Sequence, residues 1–214
     1  IGLLEHDKPV NRAFGGGVGN QIISFKIVID VIRIEERVWY MQVLIRSSNG
    51  ITEVSADSKL LLQRKVFIEG EITPEAACEF VKKIVILNKE DGEKTIDVLI
   101  NSTGGEISSG MLIYDVIQGS KAPIRMYCIG RAYSMAAVLF ASGNQRYMLP
   151  HSELMLHEPL LGNRVSGNSS SIKSISDNLL ETKRKMNQIL SKHTGKSEEE
   201  IEAATGFDHY FDAN

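Results

Sequence analysis

The sequence predicts an α/β protein, because three kinds of segment alternate along it. Short runs rich in β-branched and apolar residues are typical of strands. Apolar residues at helical spacing lie between them. Glycine, proline and asparagine mark the junctions. The chain has 214 residues, 43% of them hydrophobic, which is enough for a substantial core in one domain with an appendage.

Composition excludes several classes of function. The net charge of -3 and the lack of a basic stripe argue against binding of nucleic acid. No stretch reaches the roughly 18 apolar residues of a membrane helix, and no secretory signal is evident, so we expect a cytoplasmic protein without membrane partners. Cys78 and Cys128 both lie in apolar runs without metal-like spacing. We therefore predict two buried free thiols in a reducing compartment.

The first 40 residues differ from the rest of the chain. They contain a glycine cluster at 15–19 that lacks the Gly-Lys-Ser/Thr ending of a phosphate-binding loop. We predict a flexible N-terminal extension over residues 1–40. Residues 41–59 connect it to a regularly patterned domain over residues 60–214.

The first half of that domain begins with a strand at Lys65–Gly70. Thr73, Pro74 and Glu75 then favour a helix start, with threonine as N-cap, proline in the first turn and an acid near the positive helix end. Phe80, Ile84 and Leu87 supply its apolar stripe. The next elements are a strand over 95–101, a turn over 102–105 and a helix over 108–118.

The second half continues the alternation after the break at Pro123. Its predicted elements are a strand over 124–129, a short helix after Ser134, two strands over 146–149 and 153–156, and a Gly/Ser/Asn-rich stretch over 162–171. A long helix over 172–193 follows. The apolar stripe of that helix can serve a core or an interface; it comprises Ile172, Ile175, Leu179, Met186 and Leu190.

Ser134 lies where the strand before it gives way to a helix. The small residues Ala132 and Ala136 flank it at two positions on either side. A sharp strand-to-helix turn needs such neighbours, as in the nucleophile elbow of hydrolases, and the helix N-terminus favours developing negative charge. Ser134 is therefore a candidate nucleophile. The alternative of an ordinary serine N-cap stays equally open at this point.

Three further features could complete a hydrolytic site. Gly104 and Gly105 could aim backbone N–H groups at an oxyanion, although a plain turn is the more common meaning of two glycines. His157 ends an apolar strand before a proline and could serve as base, although a structural histidine is more common there. Asp208 could orient the imidazole, although a solvated loop aspartate is more common. The competing residues are His6, His151, His193, His209 and Asp212.

Four segments occur together and in order that resemble the ClpP family, the proteolytic subunits of the ATP-dependent Clp protease. They are IDVLINSTGGEISSGMLIYDVIQ, GRAYSMAAVLFASG, RYMLPHSELMLHEPL and ILSKHTGKSEEEIE. The resemblance covers about residues 60–213. It implies a ClpP/crotonase-like fold of repeated ββα units with a long handle helix, here in the region of about 162–193.

The resemblance also implies roles for particular residues. Ser134 matches the family nucleophile, His157 the base and Asp208 the acid. The backbone N–H groups of Gly105 and Met135 match the oxyanion hole. The strand just before the handle helix would pair with the substrate backbone. No metal or cofactor is implied for cleavage.

The implied partners are other copies of the chain, a Clp ATPase and unfolded proteins. Family members form two stacked seven-membered rings, a tetradecamer that encloses a chamber. Hexameric unfoldases of the ClpX, ClpA or ClpC type dock on the ring ends and consume the ATP. Residues 41–59 would supply the axial gate.

Three positions depart from the family pattern: Thr103 replaces a proline, Tyr133 an alanine and Glu158 a glutamine. Two alternatives to an active peptidase therefore stay open. One is a catalytically impaired ring subunit with a scaffold or regulatory role. The other is a crotonase-type acyl-CoA enzyme, which shares the fold and the two-amide oxyanion hole but does not need Ser134, His157 and Asp208.

Overall fold

The computed structural model describes residues 41–47, 50–162 and 164–213. The predicted flexible extension over 1–40, with its glycine cluster, lies outside the described residues. The strands are β1 (Gln42–Ser47), β2 (Gly50–Ser55), β3 (Lys65–Ile72), β4 (Ile96–Gly105), β5 (Ile124–Tyr133), β6 (Gln145–Met148), β7 (Glu153–Leu156) and β8 (His209–Phe211). The helices are α1 (Ala56–Leu62), α2 (Pro74–Glu90), α3 (Ile107–Gln118), α4 (Met135–Ala141), α5 (Ser169–Thr194) and α6 (Glu198–Thr205).

The main sheet has six strands in the order β3-β4-β5-β7-β8, with β6 also paired to β5. All its pairs are parallel except β7 with β8. Parallel strands need helical crossovers, and these cover the sheet and bury it. Helix α4 lies at the centre of the core, since all seven of its residues are buried. The α/β prediction is confirmed.

Local signals placed α2 correctly. The side chain of Thr73 accepts a hydrogen bond from Ala76 N at 3.3 Å, as expected of an N-cap. Phe80, Ile84 and Leu87 are buried, as their spacing predicts. Cys78, however, is exposed, so the prediction of two buried thiols is wrong for this residue, while Cys128 is buried. Successive helical residues are turned by about 100°, which carries Cys78 away from the buried face.

Residues 102–105 extend β4 and do not form the predicted turn. Gly104 and Gly105 pair with Glu71 and Ile72 of β3 after a bulge at Gly70/Glu71. Strand β5 likewise runs on to Tyr133, beyond the predicted end at Ile129. In both cases a neighbouring strand supplies backbone partners that local sequence patterns cannot reveal.

In residues 41–47 and 50–59, β1 and β2 pair as an antiparallel hairpin and α1 begins. The hairpin is a separate two-stranded sheet. Its assignment as an axial gate stays a prediction.

Arg64 closes the end of α2. Its side chain is buried, and its guanidinium donates hydrogen bonds to the carbonyls of Leu87 at 3.1 Å and of Asp91 and Lys94 at 2.8 Å. Leu87 lies in the last turn of α2 and also accepts a hydrogen bond from Asp91 N, whereas Asp91 is the C-cap and Lys94 lies in the loop that follows. Arg64 therefore joins the loop before β3 to the helix that covers the sheet.

Arg64→Lys is expected to lower the free energy of unfolding by about 2–3 kcal/mol, because lysine keeps the charge but not the planar fork of donors. Urea unfolding measures the change. The control is Arg184→Lys, since Arg184 forms an exposed ion pair with Glu181. Its free energy of unfolding should fall by about 0.5 kcal/mol or less. Equal losses in the two variants would contradict the assigned role.

His193, near the end of α5, gives a pH prediction. Its Nε2 lies 3.0 Å from Tyr114 Oη on α3. Burial, followed by the charges of Lys192 and Arg146, lowers the pKa of His193 from its ordinary 6.5. The unfolded chain therefore takes up this proton at higher pH than the folded chain. The contribution of His193 to stability is complete above about pH 6.5 and is lost as the pH falls through the folded pKa.

We accordingly expect acidification from about pH 7.5 to about pH 5 to destabilise the unmodified chain more than the His193→Gln variant. Urea unfolding at both pH values measures the difference. The same pH dependence in both proteins would rule out His193 as its source.

Candidate functional site

Ser134 stands at a strained turn between β5 and α4. Its φ is 53° and its ψ is -123°; Ser134 and Arg64 are the non-glycine residues with positive φ in the described part of the chain. Such a conformation costs energy and is typical of a nucleophile elbow. The Ser134 side chain makes no capping hydrogen bond to α4. The alternative of an ordinary N-cap is therefore wrong.

The turn is held from two sides. Ser134 N donates a hydrogen bond to Met155 O of β7 at 2.8 Å. On the other side lies Gly104, where an added Cβ would be 2.7 Å from Tyr133 O, 2.9 Å from Ser134 Cβ and 3.2 Å from Met135 N. The end of β4 can approach the elbow this closely because Gly104 has no side chain. Gly104 therefore packs against the turn beside Met135 N, so the end of β4 that carries Gly105 lies next to the start of α4.

His157 follows β7 directly and faces the elbow. Its Nε2 lies 2.7 Å from Ser134 Oγ, a hydrogen-bond distance, and its side chain is 18% exposed. His151 is exposed, and His209 stacks on Phe211. His193 contacts Tyr114, as described above, and His6 lies outside the described residues. Among the histidines that the structure describes, it is thus His157, the predicted candidate, that contacts Ser134.

Asp208 lies on the other side of the imidazole. Its Oδ1 is 3.5 Å from His157 Nδ1, and its side chain is 60% exposed. This distance exceeds the 2.7–3.2 Å of usual N–H···O hydrogen bonds. Asp208 immediately precedes β8, and β8 pairs with β7 through Leu156 and His209. Ser134, His157 and Asp208 are therefore adjacent in this order, but the contact between His157 and Asp208 is longer than a usual hydrogen bond.

An ion-pair group beside His157 was not foreseen from the sequence. Lys183 Nζ of α5 lies 3.0 Å from Glu158 Oε2 and 2.9 Å from Glu202 Oε1 of α6. These hydrogen bonds, to Glu202 first and then to Glu158, raise the pKa of Lys183. The group ties the segment after His157 to the helix that precedes Asp208. No local pattern could have revealed it, because its members are far apart in sequence.

A narrow apolar cleft opens beside Ser134. Its volume is about 20 Å³, enough for about one water molecule. The lining residues are Ile107, Ser134, Met135, Val138, Leu156, His157, Pro159, Met186, Asn187, Leu190 and Thr205.

Residues 157–162 and 164–168 belong to no strand of the single chain, so the pairing of this segment with a substrate backbone stays a prediction. A strand needs a backbone partner, and none is paired with this segment here. The long helix begins earlier than predicted, at Ser169, and its N-cap Asn168 accepts a hydrogen bond from Ser171 N at 3.0 Å.

Within residues 41–47, 50–162 and 164–213, no group of three or more His, Cys, Asp and Glu side chains is arranged to hold a metal ion. No described helix is long and apolar enough to cross a membrane.

The chain was compared with models of protein families, and the model of the Clp protease family matches it. The match covers residues 48–214, most of the chain. The matched range contains Gly105, Ser134, Met135, His157 and Asp208.

Proposed function

Because the chain belongs to the Clp protease family, we propose that it is a serine endopeptidase subunit that hydrolyses unfolded proteins to short peptides. The observation that carries this proposal is the 2.7 Å contact between Ser134 Oγ and His157 Nε2 at a strained elbow. A base within hydrogen-bond reach is what makes a serine hydroxyl nucleophilic.

Cleavage would proceed by acyl transfer. Ser134 Oγ attacks the peptide carbonyl carbon while His157 Nε2 takes the hydroxyl proton. The N–H groups of Gly105 and Met135 stabilise the oxyanion. His157 then gives its proton to the departing amine, leaving an ester on Ser134. Water, deprotonated by His157, hydrolyses the ester, which releases the carboxylate product and restores Ser134.

Asp208 would keep the imidazole in the tautomer with its proton on Nδ1. At 3.5 Å and 60% exposure, its carboxylate must move closer to His157 for a full hydrogen bond. Substrate binding or assembly would supply that movement, because catalytic hydrogen bonds often tighten only in the complex.

The proposed assembly is two stacked heptameric rings. The buried residues of α5 are Met186, Asn187 and Leu190, all in its second half. In the first half, Ile172 and Leu180 are 48% and 61% exposed. Exposed apolar side chains in this half of the helix support a handle that packs between rings.

The proposed partners complete an ATP-dependent protease. A hexameric unfoldase of the ClpX, ClpA or ClpC type would dock at the ring ends and thread unfolded chains past the hairpin of residues 41–59. The partner would consume the ATP, and the proposed subunit would need no cofactor or metal. Free Cys78 and Cys128 support a cytoplasmic location, since thiols stay reduced there.

A fluorophosphonate probe, which reacts with activated serines, tests the proposal on the assembled protein. We expect a single adduct on Ser134, located by mass spectrometry, and a ring-sized particle by light scattering. A monomer at working concentration would contradict the ring. An adduct on another serine would contradict the assigned nucleophile.

The loose contact between Asp208 and His157 favours one second candidate, a catalytically impaired ring subunit with a scaffold or regulatory role. Ring-sized particles without labelling of Ser134 would support this alternative over an active peptidase.

A further inference from the structure

The position of Asp208 is poorly secured by its own contacts. The strand that follows it, β8, has three residues, all exposed, and pairs only with β7 in the described part of the chain. A short edge strand of this kind frays easily. A carboxylate that must orient an imidazole therefore depends on whatever else holds β8 in place.

Tyr133 contacts β8 and helps to keep this strand in place. It pairs with Met155 of β7, and Met155 pairs with Tyr210 of β8, so the three residues form one row across the sheet. The Tyr133 ring meets the Tyr210 ring edge-to-face, with centroids 6.0 Å apart and planes at 89°. This is a favourable aromatic geometry. Tyr210 is two residues from Asp208.

Tyr133 is itself anchored. Its hydroxyl donates a hydrogen bond to the Glu153 carboxylate on β7. This hydrogen bond, followed by burial, raises the pKa of Tyr133, so the hydroxyl stays protonated as a donor. The Arg131 guanidinium also lies 5.8 Å from the ring centroid. Because β7 carries Glu153 and leads into His157, the ring of Tyr133 is held relative to the same strand that positions the imidazole.

We propose that Tyr133 is a positioning residue for Asp208. Through its contact with Tyr210, Tyr133 fixes β8 so that Asp208 faces His157 Nδ1. The proposal rests on the proposed function of Ser134, His157 and Asp208. It gives a role to a tyrosine that stands beside the nucleophile but makes its side-chain contacts on β7 and β8.

A double-mutant cycle tests this role. Tyr133→Ala is expected to lower kcat for a peptide about tenfold, with KM changed less than about twofold. In a protein that already carries Asp208→Asn, adding Tyr133→Ala should lower kcat by less than about a further twofold, because Tyr133 acts through the Asp208 carboxylate. Additive losses would overturn the proposal, since they would mean that Tyr133 acts on substrate or on Ser134 directly.

Two further variants separate positioning from general damage. Tyr133→Phe keeps the ring contact and should retain kcat within about threefold. Tyr210→Ala removes the same contact from the exposed strand, so it should reproduce the tenfold loss even where Tyr133→Ala fails to fold. A Tyr210→Ala protein with unchanged kcat would overturn the proposal.

A readout that does not need activity keeps this inference separate from the proposed function. Hydrogen exchange of the β8 amides should be faster in Tyr133→Ala than in the unmodified chain. Unchanged protection of β8 overturns the positioning role. Absence of fluorophosphonate labelling in the unmodified protein would instead count against the proposed peptidase, whatever the exchange result.

Discussion

Ser134→Ala is expected to reduce peptide hydrolysis by about 10⁴- to 10⁶-fold and to abolish fluorophosphonate labelling. Alanine has no oxygen to attack the carbonyl, so only substrate binding and oxyanion stabilisation remain. The fold should persist, because the Ser134 side chain makes no capping bond to α4 and alanine differs only by the hydroxyl. The rate of peptide cleavage and the mass of the labelled protein check the two effects.

The matched control is Ser108→Ala, on the exposed side of α3, where the lost hydroxyl contacts Glu106. This variant should keep both labelling and hydrolysis. Labelling that survives in Ser134→Ala would show that another serine is the nucleophile. Unchanged hydrolysis without labelling would show that a different mechanism cleaves the peptide.

Gly105→Ala should lower both activity and stability. An added Cβ would lie 2.6 Å from Ile72 N and 3.0 Å from Ile72 C, and it would also strike the Ile72 carbonyl oxygen. The φ of Gly105 is 153°, which side chains rarely adopt. Because the obstructing atoms are backbone, β3 and β4 must move apart. That movement displaces the proposed oxyanion donor.

We expect at least a 100-fold loss of kcat/KM, as for the removal of one oxyanion donor, and about 2–4 kcal/mol less stability. Peptide hydrolysis and urea unfolding measure the two losses. Gly92→Ala, in the loop before β4, is the control: Gly92 is not among the glycines with positive φ, and an added Cβ there comes closest to the exposed Lys121 side chain at 3.2 Å and to Asn88 O at 3.6 Å, so it should keep full activity and lose much less stability. Full activity in Gly105→Ala would exclude a close approach of β3 and β4 at this residue.

Local patterns predicted the elements well where the physical cause was local. Thr73 as N-cap, the buried stripe of Phe80, Ile84 and Leu87, and the short helix after Ser134 depend on contacts within a few residues. Predictions failed where the cause was distant. The pairing of Gly104 and Gly105 with β3 turned an expected turn into strand. The rotation of α2 relative to the core left Cys78 exposed.

The candidate site divides in the same way. Ser134, His157 and Asp208 could be named from ordered sequence segments, but each alone had a more ordinary or equally common meaning. Their adjacency depends on pairing that brings β5 next to β7 and β7 next to β8. Lys183, Glu158 and Glu202 could not be joined from the sequence, because a salt bridge between distant segments leaves no periodic pattern.

The sequence by itself determined the α/β class and the order of the elements from β3 to α5, and it named the residues that we propose for acyl transfer. These follow from backbone propensities, apolar periodicity and side-chain chemistry, which act over short stretches of chain. Only the tertiary structure decided that Ser134 does not cap its helix, that His157 and no other described histidine reaches it, and that Asp208 is loosely held beside Tyr133 and Tyr210. Those outcomes depend on distances between segments far apart in sequence, and such distances are set when the strands pair and the helices pack on them.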